Sequence, residues 1–210
     1  MYLPPHFDAR DPALATALMR EHPFASLISV DPEGLPFVTH LPMHLEERAG
    51  ENGPQRVLHA HCARANPHWK LLAQRPQAVV TFLGPHAYQS PRIYAEKDKV
   101  PSWNYVAVHC TVQARLLEGS AAKDALLKLL IADHEPAFAQ QWREFDPAFA
   151  EQMLGGIVAF ELDVVSLQCK IKLNQHRPQS HAALKAGYAA GNADEQALAG
   201  WMDRLGIGGQ

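Results

Sequence analysis

A chain of 210 residues, 47% of them hydrophobic and 20% charged, can build one ordinary domain with a proper core and is not the composition of a disordered protein. Its formal net charge of −3 lacks the basic excess on which phosphate neutralisation rests, so direct nucleic-acid binding is disfavoured. No stretch approaches the ~20 apolar residues of a membrane helix, no cationic-then-apolar leader is expected at Met1-Tyr2-Leu3-Pro4, and Cys62, Cys110 and Cys169 are scattered singly, as free buried thiols of a cytoplasmic protein would be.

In chain order, Asp11-Pro12 predicts a capped helix over 12–21. A strand over 24–30 runs into Asp31-Pro32-Glu33-Gly34, a reversal sequence, and residues 35–40 return to make a hairpin. Residues 46–54, acidic and glycine-containing, read as a solvated connection. A strand follows over 56–61, then a helix over 67–74 with Asn66 as cap and Pro67 at its first position, then a strand over 78–83. Two long strands, 104–118 and 157–170, flank helices at 120–133 and 147–154, the latter announced by Asp146-Pro147. In the first of these helices Ala122, Leu126, Leu127, Leu130 and Ile131 share a face. Lys123 falls inside that stripe and is expected in a first turn still near solvent. Residues 175–193 are expected to be partly mobile. Asn192 and Glu195 then have capping-box spacing for a helix over 193–204.

Hairpins first, with helices inserted irregularly, predict a mainly β chain with peripheral helices (α+β), an antiparallel barrel rather than a doubly wound sheet. Residues 1–175 would form the barrel domain and 176–210 a helical tail packed on or near it.

Polar residues gather where this reading expects order. Around Arg64-Ala65-Asn66-Pro67 a strand ends and a helix opens, so helix N–H groups and a guanidinium could meet one anion, such as a phosphate. The alternative is that Asn66 is only a cap and Arg64 only a surface residue. His59 and His61 lie two apart on a strand and share a face, with His40 as a possible neighbour. A metal or haem could use them, yet no HExxH and no acidic partner at ligand spacing accompanies them, so no metal site is assigned. Trp103, Tyr105 and Tyr88 could stack on a flat ring or pack in a core or interface.

Five segments together resemble the PaiB-type family of FMN-binding negative transcriptional regulators: Met1-Tyr2-Leu3-Pro4, HCARANPHW (61–69), FLGPHAY (82–88), VPSWNYVAVH (100–109) and KLNQHR (172–177). The resemblance implies an antiparallel split β-barrel of the FMN-binding type, a homodimer, and FMN as cofactor. Carried over, Thr39, His40, Leu41, His59, Ala60 and His61 would line the flavin. Arg64 and Asn66 would hold its phosphate, and Tyr88, Lys172, Gln175 and Arg177 would border the site. The chain departs from the family at Gln89-Ser90-Pro91-Arg92-Ile93-Tyr94, where a tryptophan is common, and at Cys62 and His176, the last in place of a frequent asparagine. An FMN-dependent oxidoreductase and a flavin-based regulator both fit this picture. A direct DNA-binding repressor and a histidine-based metal or haem protein are the rivals, and an absorption spectrum separates them.

Overall fold

In the computed structural model, which describes residues 1–50 and 53–208, the first hairpin closes as its turn chemistry requires. The Asp31 carboxylate accepts from the backbone N–H of Glu33 and Leu35, and Gly34 takes a φ of 86° that a side chain would resist. Strands β1 (Phe24–Val30) and β2 (Pro36–Pro42) pair around it with Ile28 opposite Val38. The remaining strands are β3 (His44–Arg48), β4 (Gln55–Ala63), β5 (Gln77–Gln89), β6 (Ser102–Leu117) and β7 (Ile157–Lys172). They lie in one seven-stranded sheet of order β2-β1-β5-β6-β7-β4-β3, with antiparallel registers such as His59 opposite Glu161.

Strand β3 corrects the solvated connection expected at 46–54. Leu45 alternates with outward polar residues and is buried, so the segment through Arg48 pairs with β4. The part of that expectation falling on residues 51 and 52 lies outside the described residues.

The helices are α1 (Pro12–Glu21), α2 (His68–Gln74), α3 (Ser120–His134), α4 (Phe138–Arg143), α5 (Pro147–Gly155), α6 (His181–Ala189) and α7 (Ala193–Arg204). Three of the caps behave as read. Asp11 accepts from Ala13, Asp146 from Ala148 and Phe149, and Asn192 with Glu195 forms a complete capping box. Among the described residues no helix is long and apolar enough to cross a membrane.

The chain divides into two compact units, with β5, β6 and β7 each contributing to both. One holds residues 22–82 and 109–167. There Leu126 and Leu130 of α3 bury against Ala159 of β7. Lys123 is not near solvent: it is buried, and its ammonium donates to the Leu154 carbonyl at 2.9 Å, satisfying the C-terminal end of α5. Phe138, Trp142, Phe145 and Phe149 make a chain of edge-on rings that pins the short α4.

The other unit holds residues 1–21, 83–108 and 168 onward. Its core includes Leu18, Met19, Ile171, Leu173, Leu184 and Met202. The stretch expected to be partly mobile is folded as a 3-10 turn at Pro178–Ser180 followed by α6. All three cysteines are buried and outside any disulfide, and burial pushes the Cys62 and Cys169 thiols up, the latter to about 12, which disfavours their thiolates.

Candidate flavin site

Where β2, β4 and α2 meet, in the unit of residues 22–82 and 109–167, the chain builds a closed polar network. The Thr39 hydroxyl accepts from the Asn66 amide at 3.2 Å and lies 2.8 Å from His68 Nδ1, while His68 Nε2 lies 2.9 Å from the Ser29 hydroxyl. Asn66 Oδ1 accepts from the His68 backbone N–H, but α2 opens at His68 with Pro67 at the cap position, so Asn66 lies one residue ahead of the cap expected of it. His68 is fully buried, and burial pushes its pKa down to about 4. Neutral at physiological pH, it has one nitrogen to give and one to receive, and so links the two hydroxyls in either tautomer. Residue patterning singled out the segment but not this histidine. The signal is non-local, since its partners lie 29 and 39 residues away.

Arg64 sits at the exposed rim of this corner. Its Nε donates to the Gly155 carbonyl at 2.7 Å and its Nη2 to the Ile157 carbonyl at 3.3 Å, clasping the junction of α5 and β7. Among the described residues Nη1 makes no hydrogen bond. The Trp69 indole donates to the Arg64 carbonyl at 3.0 Å, which fixes the corner from the helix side.

The other carried-over positions on β2 and β4 have distinct surroundings. Leu41 and Ala60 are buried core residues. His40 is exposed and 3.0 Å from the Ser26 hydroxyl. His59 joins a charged cluster: its Nε2 donates to Glu46 at 2.7 Å, Arg48 bridges Glu46 and Glu161, and Arg115 also reaches Glu161. The Arg48 guanidinium, helped by His59, holds the Glu46 carboxyl at about 2. The acidic partners absent at ligand spacing in the sequence thus come from other strands. Among the described residues no group of three or more His, Cys, Asp or Glu is arranged to hold a metal ion.

His61 differs from its neighbour. Its Nδ1 is buried without a hydrogen-bond partner, and burial lowers its pKa. It lines an open apolar groove of about 280 Å³ whose walls include Pro42, Leu130, Ile131, Phe138 and Trp142.

The remaining expected residues belong to the other unit. Tyr88 is half exposed, its ring edge-on to Trp103. Gln175 spends its amide on the Leu173 N–H and the Ile171 carbonyl, closing the turn after β7. In that turn Asn174 takes a φ of 63°, tolerable for asparagine, and anchors to Ser180 and Tyr94. Gln89, at a departure from the family pattern, donates to the Tyr94 hydroxyl, so the segment has its own polar tether. Lys172 and Arg177 border one small cavity of this unit.

Comparison with known proteins supplies the frame for these residues. The family described as "Putative FMN-binding domain" matches residues 1–166. The protease synthase and sporulation protein PAI 2 of Bacillus subtilis (strain 168) is 30% identical over 185 residues, covering 86% of this chain and 84% of that protein. Two solved structures share the fold. The FAD and heme binding protein from Mycobacterium smegmatis has a TM-score of 0.61 at 17% identity, covering 79% of this chain and 73% of its own. The flavocytochrome Anf3 from Azotobacter vinelandii has a TM-score of 0.59 at 19% identity, covering 80% and 70%. The expected antiparallel split barrel is therefore the fold of this chain. With FMN as its cofactor, the chain belongs to the PaiB-type family of FMN-binding proteins.

Proposed function

We propose that this chain is a homodimeric flavin protein with a redox-linked regulatory role, its FMN ring beside β2 and β4 and its phosphate at the Arg64–Asn66 corner. The observation that carries the ring placement is His61 Nδ1, a buried ring nitrogen without a partner beside an apolar, aromatic-walled groove. A flavin needs apolar cover for its faces and a hydrogen bond at its polar edge, and these residues fit that demand. At the corner, Nη1 of Arg64 is the donor for an anion, and the Thr39–Asn66–His68 network keeps the start of α2 rigid behind it.

FMN supplies hydride and single-electron chemistry; the protein supplies orientation and exclusion of water. Neutral His61 can receive or donate one hydrogen bond at the ring edge without adding charge. The regulatory half of the reading is supported by the relative named for protease synthesis and sporulation. Homodimerisation is supported by Leu83, Tyr88 and Trp103, large apolar residues of β5 and β6 left half exposed or more.

The spectrum of freshly purified protein tests the cofactor and the redox role. Flavin bands that bleach with NAD(P)H, and FMN released on denaturation, are the expected results. A colourless protein that takes up no added FMN would overturn the reading, as a haem spectrum would. Sedimentation at micromolar concentration is expected to show a dimer, and a monomer would remove that part of it.

A further inference from the structure

In the unit that includes residues 83–108 and 168 onward, a cavity of about 170 Å³ lies where β7 ends and β6 begins. Small-molecule pockets run from about 300 to 1,000 Å³. This one is too small for a three-ring flavin, but at roughly 30 Å³ per water it holds a group of several heavy atoms.

Its walls carry Lys172, His176 and Arg177, and none of its lining residues is acidic. Lys172 Nζ donates to the Ser102 hydroxyl at 2.6 Å. Arg177 lies over the Tyr94 ring at 5.2 Å and donates from Nε to His176 Nε2 at 3.3 Å. Among the described residues no carboxylate pairs with these three groups. Asp98, whose charge reaches Arg177, is fully exposed and bonded to Lys99.

Burial lowers the Lys172 pKa, and Lys170 lowers it further. His176 is lowered by burial and then by His6, Arg177, Lys172 and His181. An anion in the cavity would reverse these effects.

Asn104, also on the wall, is fully buried. One amide atom lies 2.9 Å from the Tyr188 hydroxyl, and the other has no partner. With the amide nitrogen toward Tyr188, the phenol proton is unspent and the amide oxygen bare. Exchanging nitrogen and oxygen lets Tyr188 donate to the amide oxygen and leaves the –NH2 as a donor for a ligand. An ammonium, a guanidinium and an amide around one small space match the terminal oxygens of a phosphoryl group.

We propose that this cavity is a second, phosphoryl-class oxyanion site, held by Lys172 and Arg177 with Asn104 behind them. It goes beyond the flavin reading, which anchors FMN at Arg64. The phosphoryl group comes from a second ligand or from FMN itself, and the experiment separates the two.

FMN-loaded wild type, Lys172→Gln and Arg177→Gln are titrated calorimetrically with orthophosphate in phosphate-free buffer, and flavin-depleted samples of these and of Arg64→Gln with FMN and riboflavin. Saturable orthophosphate uptake, weakened about ten- to hundredfold by either substitution with the FMN-to-riboflavin preference unchanged, supports the site and assigns it to a second ligand. Loss of that preference in Lys172→Gln or Arg177→Gln but not in Arg64→Gln keeps the oxyanion site and gives it to FMN's phosphate, so that the Arg64 anchor falls instead. No saturable orthophosphate binding, with flavin preference unchanged in both cavity variants, overturns the proposal. Arg177, whose side chain is partly exposed, provides the readout should Lys172→Gln fold poorly.

Discussion

Two polar clusters of this chain obey opposite rules. At Thr39, Asn66 and His68 the groups complete one another: hydroxyl, amide and imidazole form a closed set, and the buried histidine is neutral. At Lys172 and Arg177 two cations, with the His176 imidazole beside them, share a cavity that no acid lines, next to an amide atom with nothing to bond. A satisfied network fixes structure, whereas an unsatisfied one waits for a ligand, because a buried polar group without a partner costs about 1–3 kcal/mol. The first cluster is therefore a scaffold with Arg64 at its rim, and the second is the oxyanion site proposed above.

That contrast can be broken at its strong end first. Replacing His68 with leucine removes one member of the closed set and strands the Thr39 and Ser29 hydroxyls, so urea unfolding should show a loss of about 3 kcal/mol. A loss below about 1 kcal/mol would mean the network is ornamental.

Acid is the next lever. His68 titrates near 4 when folded and near 6.5 when exposed. On acidification the unfolded chain therefore takes up this proton first. The contribution is intact above 6.5, erodes as pH falls to about 4, and is gone below that, for a total of up to about 3 kcal/mol. Glu46, held at about 2 by Arg48, adds a separate loss at lower pH, between about 4.5 and 2. Stability measured across these windows should fall in both, and His68→Leu should flatten only the upper one.

The smallest expected effect lies on a local feature away from either cluster. Asn192→Ala removes one arm of the α7 capping box and should cost about 1 kcal/mol in thermal or urea unfolding. A cost equal to that of His68→Leu would erase the distinction between a local cap and a long-range network.

What the sequence made legible follows the same division. Caps at Asp11, Asp146 and Asn192 are local chemistry, written within three residues, and could be read directly. The hairpin at Asp31–Gly34 was readable for the same reason. Strand β3 was obscured because Glu46, Glu47 and Arg48 look like a loop until β4 and β7 bring Arg56, His59 and Glu161 to pair with them. Helix α6 has no side-chain cap to announce it, and Lys123 looked like a surface residue because its carbonyl partner is 31 residues away. The family motifs pointed to Lys172 and Arg177. Their shared cavity depends on Ser102 and Asn104 from a distant strand, and no spacing rule reveals that.

The central claim, that this FMN protein holds its flavin phosphate at the Arg64 rim, is tested most directly by titrating FMN and riboflavin against wild type and Arg64→Ala. Losing a charged hydrogen bond costs about 1.5–3 kcal/mol, so FMN affinity should fall roughly ten- to hundredfold, and riboflavin, which lacks the phosphate, far less. Equal losses for both flavins would mean that Arg64 serves only to clasp the Gly155 and Ile157 carbonyls, and would contradict the account.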